Sequence, residues 1–246
     1  MLLPILSFYQ NLNHKEFSQA SQEQLDLLKF WFYGSILDTR YGGARHGSTN
    51  IVIKEDCDIM KNIAKNKFPD KTYWQKIRID FSFEEFKKID SNSNAKFMAL
   101  NYFMWNKNSF KNFNNYADVS FNEKVDVHHV FPSDYIETQF GKDSEEFDFA
   151  DTILNKVRIN KIENIKISNK APKTYLNEIK VKNSNIKYSM NSHYVGDAEK
   201  LMKGDFDLDY FGFLKSRFEA IEPLLLELRN ASEMLNTGVR KDIWLK

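Results

Sequence analysis

VDVHHVFP, residues 125–132, sets two of the chain's five histidines side by side in a β-prone run that stops at Pro132. Successive strand side chains point to opposite faces, so His128 and His129 cannot both fill one core position, and at least one of them needs another reason to be there. A second short strand is predicted at Lys156–Ile159, with the first extending over Lys124–Val130. Between them lie a helix-like Ser133–Phe140 and the acidic loop GKDSEEFDFAD, residues 141–151. Outward from this pair the pattern turns helical. Leu25, Leu28, Trp31, Phe32 and Ile36 form an apolar stripe over Gln22–Leu37, and Ser82 with Glu84 and Glu85 opens a helix over Phe83–Ile89. Ala95–Trp105 and Phe211–Arg229 continue the pattern, the last being the longest predicted helix, while SNSNAK (91–96) and NNYADVSFNEK (114–124) read as surface loops. The fold class expected is mainly α, with a small β-containing insert in a helical body. Three regions follow: an N-terminal helical region at 1–120, the insert at 121–180, and a C-terminal helical region at 181–246 packing on the N-terminal helices as one structural unit.

Charge and cysteine content narrow the function classes. With 35 Lys and Arg against 34 Asp and Glu the net charge is +1, so any nucleic-acid surface must be local. Residues 151–190 supply one, holding nine Lys or Arg against three Asp or Glu. Cys57, the single cysteine, excludes an internal disulfide and a multi-cysteine zinc site, and fits a reducing cytosol. MLLPILSFYQ at the N-terminus is apolar but too short to span a bilayer and has no basic leader, so neither membrane insertion nor export is expected and the predicted location is the cytoplasm.

Adjacent histidines, asparagines and a local cationic surface are a set that phosphodiester hydrolysis can use. A neutral imidazole takes a proton from water, and a divalent cation on the phosphate stabilises the charge that develops there. Two histidines at a strand end can divide these tasks. The base must be held in one tautomer by an acceptor on its other nitrogen, and Asn oxygen is an adequate ligand for Mg²⁺ or Mn²⁺.

VDVHHVFP followed by ILNKVRINKIENIKISNKAPKTYL (153–176) resembles the HNH nuclease module, also called the His-Me or ββα-metal finger, as found at the C-terminal end of GmrSD-like restriction proteins. LLKFWFYGSILDTRYGG (27–43) is similar to the Trp-rich helix and Arg-Tyr turn that precede the finger in that family, and FDLDYFGFLKSRFEAI (206–221) to its closing helix. The resemblance implies a ββα-metal finger at 121–180 and a metal-dependent DNA endonuclease of a restriction or phage-defence system. His129 is implied as general base, Asn155 as the residue orienting it, and His128 and Asn164 as ligands of Mg²⁺ or Mn²⁺. Asp126 is implied in support of that site, and Lys156, Arg158, Lys161, Lys166 and Lys170 as contacts to double-stranded DNA, phage or modified. Asparagine rather than histidine at position 164 departs from the common pattern and favours Mg²⁺ or Mn²⁺ over tightly held zinc.

Plainer roles stay open for the same residues. Asn155 also suits a turn at a strand entry, Asn164 a helix cap, the lysines a solvated face, and Arg40 with Tyr41 a structural corner. The alternative for the whole chain is a catalytically inactive helical module that binds DNA or a protein. The family pairs its nuclease half with a nucleotide-hydrolysing sensing domain, whose Asp-Gly-Gln-Gln-Arg-type motif does not occur here. A fragment or a separately encoded subunit is therefore expected, one that binds no ATP or GTP by itself.

Overall fold

Ser21 opens the helix expected at Gln22–Leu37 with a reciprocal cap: its hydroxyl accepts the Gln24 N–H at 3.2 Å, and the Gln24 side chain accepts the Ser21 N–H at 2.8 Å. The computed structural model describes residues 1–42, 44–79, 81–90, 94–120 and 125–240. Its chain divides into two compact units, one of residues 1–80 and 224–246, the other of residues 81–223. Parts of the two predicted surface loops, 91–93 and 121–124, and the Lys124 start of the first predicted strand lie outside the described residues.

In the first unit α1 (Leu2–Asn11), α2 (Gln22–Leu37), α3 (Thr49–Ala64) and α4 (Lys71–Trp74) close on a core of Phe8, Leu27, Phe30, Trp31, Met60 and Trp74, joined by Ala231 and Leu235 from the C-terminal helix. The apolar stripe expected on α2 is displaced. Trp31 is buried, but Leu25, Leu28, Phe32 and Ile36 are only partly so, because Leu27, Phe30 and Gly34 face the core. Gly34 is required by that contact, since a Cβ there would lie 2.8 Å from the Ile77 side chain. At the centre sits the fully buried Asp56 carboxylate of α3. It accepts hydrogen bonds from Trp31 Nε1 (3.1 Å), Arg40 Nη2 (2.7 Å), Tyr73 OH (2.9 Å) and the Tyr41 hydroxyl. A buried carboxylate needs such a complement of donors, and this one ties α2, the turn after it, α3 and α4 to a single point.

The second unit contains α5 (Phe83–Lys87), α6 (Ala95–Lys107), β1 (Val125–His129), α7 (Ser133–Phe140), α8 (Glu145–Asp148), β2 (Lys156–Asn160), α9 (Lys161–Ile167), α10 (Pro172–Lys180), α11 (Ile186–Ser192) and α12 (Ala198–Lys203). α13 (Tyr210–Thr237) begins in this unit and ends in the first, the division falling at Pro223 within it. It runs beyond the Phe211–Arg229 expected from sequence. β1 and β2 pair antiparallel, with His128 opposite Val157 and His129 opposite Lys156. The fold is thus mainly helical with one small two-stranded sheet among the described residues. Asn160 ends β2 and caps α9 by accepting the Ile162 N–H at 2.9 Å, which turns the chain back against both strands. Beneath the sheet Phe131 packs on Tyr210 and Phe213, with ring centroids 5.5 and 4.9 Å away.

Candidate functional site

β1 delivers His128 and His129 to opposite faces, and each finds a different polar partner. His128 is 2% exposed and points toward α9, where its Nδ1 lies 2.8 Å from Asn164 Oδ1. The Asn164 amide nitrogen donates to Asp126 Oδ2 at 3.3 Å, and Asp126 shares a strand face with His128. Only the amide nitrogen can donate to a carboxylate, so this bond fixes the orientation of Asn164 and presents its oxygen to the histidine. Burial lowers the His128 pKa to about 4, with the neighbouring His129 acting in the same direction and the Asn164 bond against it, so the ring is neutral at pH 7. Its Nε2 is buried without a hydrogen-bond partner among the described residues, and the ring lies beside that of Tyr175 at a centroid distance of 5.6 Å.

The second histidine is half-buried, with 28% of its side chain exposed, and its Nε2 lies 2.8 Å from Asp151 Oδ1. Asp151 also receives Lys156 Nζ at 2.8 Å, and Lys156, opposite His129 in the sheet, is itself buried and bonded to the Asp90 carbonyl. An acceptor at Nε2 places the ring hydrogen there and leaves Nδ1 with its lone pair. Burial holds the His129 pKa below its ordinary value, aided by Lys156 and opposed by Asp151. Burial also raises Asp151, but the bonds from Lys156 and His129 outweigh that and keep it ionised.

Asn155 is fully buried and does not bond the His129 ring. Its Oδ1 accepts the Phe131 N–H (2.8 Å), its Nδ2 donates to the carbonyls of Phe131 and Ala150 (both 2.9 Å), and its own carbonyl accepts the Val130 N–H (2.8 Å). This clamp fixes the chain immediately after His129. Two neighbours reinforce it: the Tyr175 hydroxyl donates to the Val130 carbonyl at 2.9 Å, and Arg217 Nη1 donates to the Leu154 carbonyl at 3.1 Å. Arg217 is wholly buried, which lowers its pKa to about 9.

The five cationic residues expected on DNA divide in two. Lys161 and Lys166 are exposed on α9, whereas Lys170 pairs with Glu178 at 2.6 Å, Arg158 lies against Met98, and Lys156 is committed to Asp151. Burial of Lys156 beneath the Phe97 ring removes it from any phosphate surface. Asp151 is the residue that sequence reasoning missed. It is one of five acids in the 141–151 loop, and only its position just before the 3₁₀ turn Ile153–Asn155 could have marked it.

Among the described residues no three His, Cys, Asp or Glu side chains gather as a metal cage. Here Asp126 and His128 meet with Asn164 as the third polar group. As it stands, His128 Nδ1 carries the hydrogen that it donates to Asn164 Oδ1 at 2.8 Å; the pair would fit one hard cation in the other tautomer, with the ring hydrogen on Nε2 and both Nδ1 and Oδ1 free to ligate. No helix among the described residues is long and apolar enough to cross a membrane.

No family model matches the chain, and no solved structure does. Among curated proteins it is similar to the uncharacterized protein MJ0686 of Methanocaldococcus jannaschii, 26% identical over 182 residues, which is 74% of this chain and 30% of that protein. The chain therefore corresponds to less than a third of the length of this relative.

Proposed function

We propose that the second unit is a metal-dependent DNA endonuclease of the HNH type, with β1, β2 and α9 as its ββα-metal finger. The observation that carries the proposal is the division of labour at the end of β1: a buried neutral histidine facing Asn164 and Asp126, and an adjacent half-buried histidine whose Nε2 is held by Asp151. His128 and Asn164 would hold Mg²⁺ or Mn²⁺, and the bound ion would neutralise charge gathering on the scissile phosphate. His129 accepts a proton from the attacking water at Nδ1 while the water oxygen bonds to phosphorus. The phosphorus–oxygen ester bond opposite then breaks, and the leaving oxygen takes up a proton from solvent. Asp151 keeps the ring in the competent tautomer and stabilises the imidazolium once formed, and Asn155 maintains the strand exit that aims it. Exposed Lys161 and Lys166 on α9 supply phosphate attraction beside the site.

A restriction or phage-defence role, double-stranded phage or modified DNA as substrate, a cytoplasmic location and a nucleotide-hydrolysing sensing partner come from the family resemblance. The much greater length of the archaeal relative is compatible with such a module working beside other domains. The direct bond between His128 and Asn164 favours a second reading, an inactive finger used only for binding. Nicking of supercoiled plasmid in Mg²⁺ or Mn²⁺, with an EDTA control, separates the two. The endonuclease reading expects nicking by the full chain and a loss of roughly 10²-fold or more in His129→Ala. No metal-dependent nicking, or full activity in that variant, refutes it.

A further inference from the structure

Charged side chains outside the histidine centre converge in the first unit. Arg40, Arg45, His46, Lys76 and Arg78 line a cleft of about 380 Å³, in which Glu55 is the one carboxylate among the described lining residues. Arg40 forms part of its wall with a side chain 1% exposed, spending Nε and Nη2 on Asp56 and Glu55, while Nη1 makes no hydrogen bond among the described residues. Arg45 pairs with Asp38 and Lys76 with Glu55, but the exposed Arg78 guanidinium has no ion pair among the described residues. Counting Asp38 and Asp56 with Glu55, four permanent cations meet three carboxylates among the described residues, an excess of one positive charge there beside His46, whose Nε2 lies 3.0 Å from Asp38 Oδ2.

The crowding registers on the neighbours. Burial lowers the His46 pKa, and the guanidiniums of Arg45, Arg40 and Arg78 push it further down, with Asp56 opposing. Arg45 is likewise lowered, by burial and then by Arg78. An anion seated among these groups would relieve that repulsion. Guanidinium forks suit phosphate oxygens, and among the described residues no Phe, Tyr or Trp lines the cleft to stack a base.

We propose that this cleft is a second phosphate site, taking a phosphodiester of the nucleic-acid substrate through Arg78, Arg45 and Nη1 of Arg40, a proposal that rests on nucleic acid being the substrate of the His129 centre. Its contribution is affinity rather than chemistry. The test uses the full chain and a fluorescein-labelled duplex in EDTA, with anisotropy measured across a salt series. Arg45→Ala with Arg78→Ala should weaken binding about 10-fold and flatten the dependence of log affinity on log salt by roughly one unit. Lys65→Ala with Lys67→Ala removes the same charge from exposed positions of the same unit outside the cleft, and should cost several-fold less. Equal losses from the two pairs, or no loss from the arginine pair, overturn the proposal. Both arginines are solvent-facing, so unchanged thermal melts are expected and report that the unit is folded. If the wild-type chain neither binds nor nicks DNA, the nuclease reading fails separately. Calorimetry with inorganic pyrophosphate then decides the cleft alone: heat lost in the arginine pair keeps a site for a free phosphate, and no heat in wild type overturns it.

Discussion

Asn155→Ala isolates what holds His129 in place. The side chain makes three buried hydrogen bonds, and truncation leaves the Phe131 N–H, the Phe131 carbonyl and the Ala150 carbonyl without partners. All three belong to buried residues. Each orphaned group costs about 1–3 kcal/mol when dry, and water admitted to the space of the lost amide recovers part of that, so a destabilisation of about 3–5 kcal/mol is expected. Because the chain has two compact units, a local probe is preferable to a global midpoint. Native-state hydrogen exchange at the Val130 and Phe131 amides should lose protection by a corresponding 10²- to 10³-fold or more. The amides of α3 in the first unit should keep theirs. Nicking should fall as well, since His129 precedes the released segment, although its Asp151 partner is untouched. A change below about 1 kcal/mol at these amides would refute the clamp, and with it the view that Asn155 acts on the backbone rather than on the ring.

Asp151→Asn should move the acidic limb of the nicking profile to lower pH. The base must be neutral, Asp151 raises its pKa, and without that charge burial and Lys156 depress it further; a shift toward higher pH, or none, would reassign the partner of His129. Asp56→Asn should destabilise the first unit by about 3–5 kcal/mol in urea, followed through Trp31 and Trp74, because the buried Arg40 loses its counter-charge. Burial raises the Asp56 pKa, but Arg40, Tyr41 and Trp31 outweigh it and the folded value lies below the unfolded 3.8. Wild-type stability from this group is therefore present above 3.8 and lost as pH falls through the folded pKa, an acid sensitivity the Asn variant should lack; equal acid sensitivity in both proteins would place the effect elsewhere.

Sequence alone determined whatever depends on near neighbours. Strand alternation placed His128 and His129 on opposite faces, Pro132 ended the first strand, and Ser82 and Ser21 sit where helices begin. The two short strands were legible for the same reason, since each depends on a pattern of a few residues, whereas their pairing and the helix after the second came only as implications of the family resemblance. What the tertiary structure decided involves contacts between distant positions. Asp151 reaches His129 from 22 residues away, selected from five similar acids by where the loop returns to the sheet. Lys156 looked like a surface cation in a basic stretch, but its place opposite His129 buries it on that same carboxylate. The stripe on α2 faced differently from its spacing because Leu27, Phe30 and Trp31 join the core shared with α3 and Gly34 takes the close contact with Ile77. Arg40 became an interior residue because Asp56, 16 positions on, offers it a buried carboxylate. Burial and charge pairing are properties of the packed chain, and local sequence does not encode which distant group will fill a given hydrogen bond.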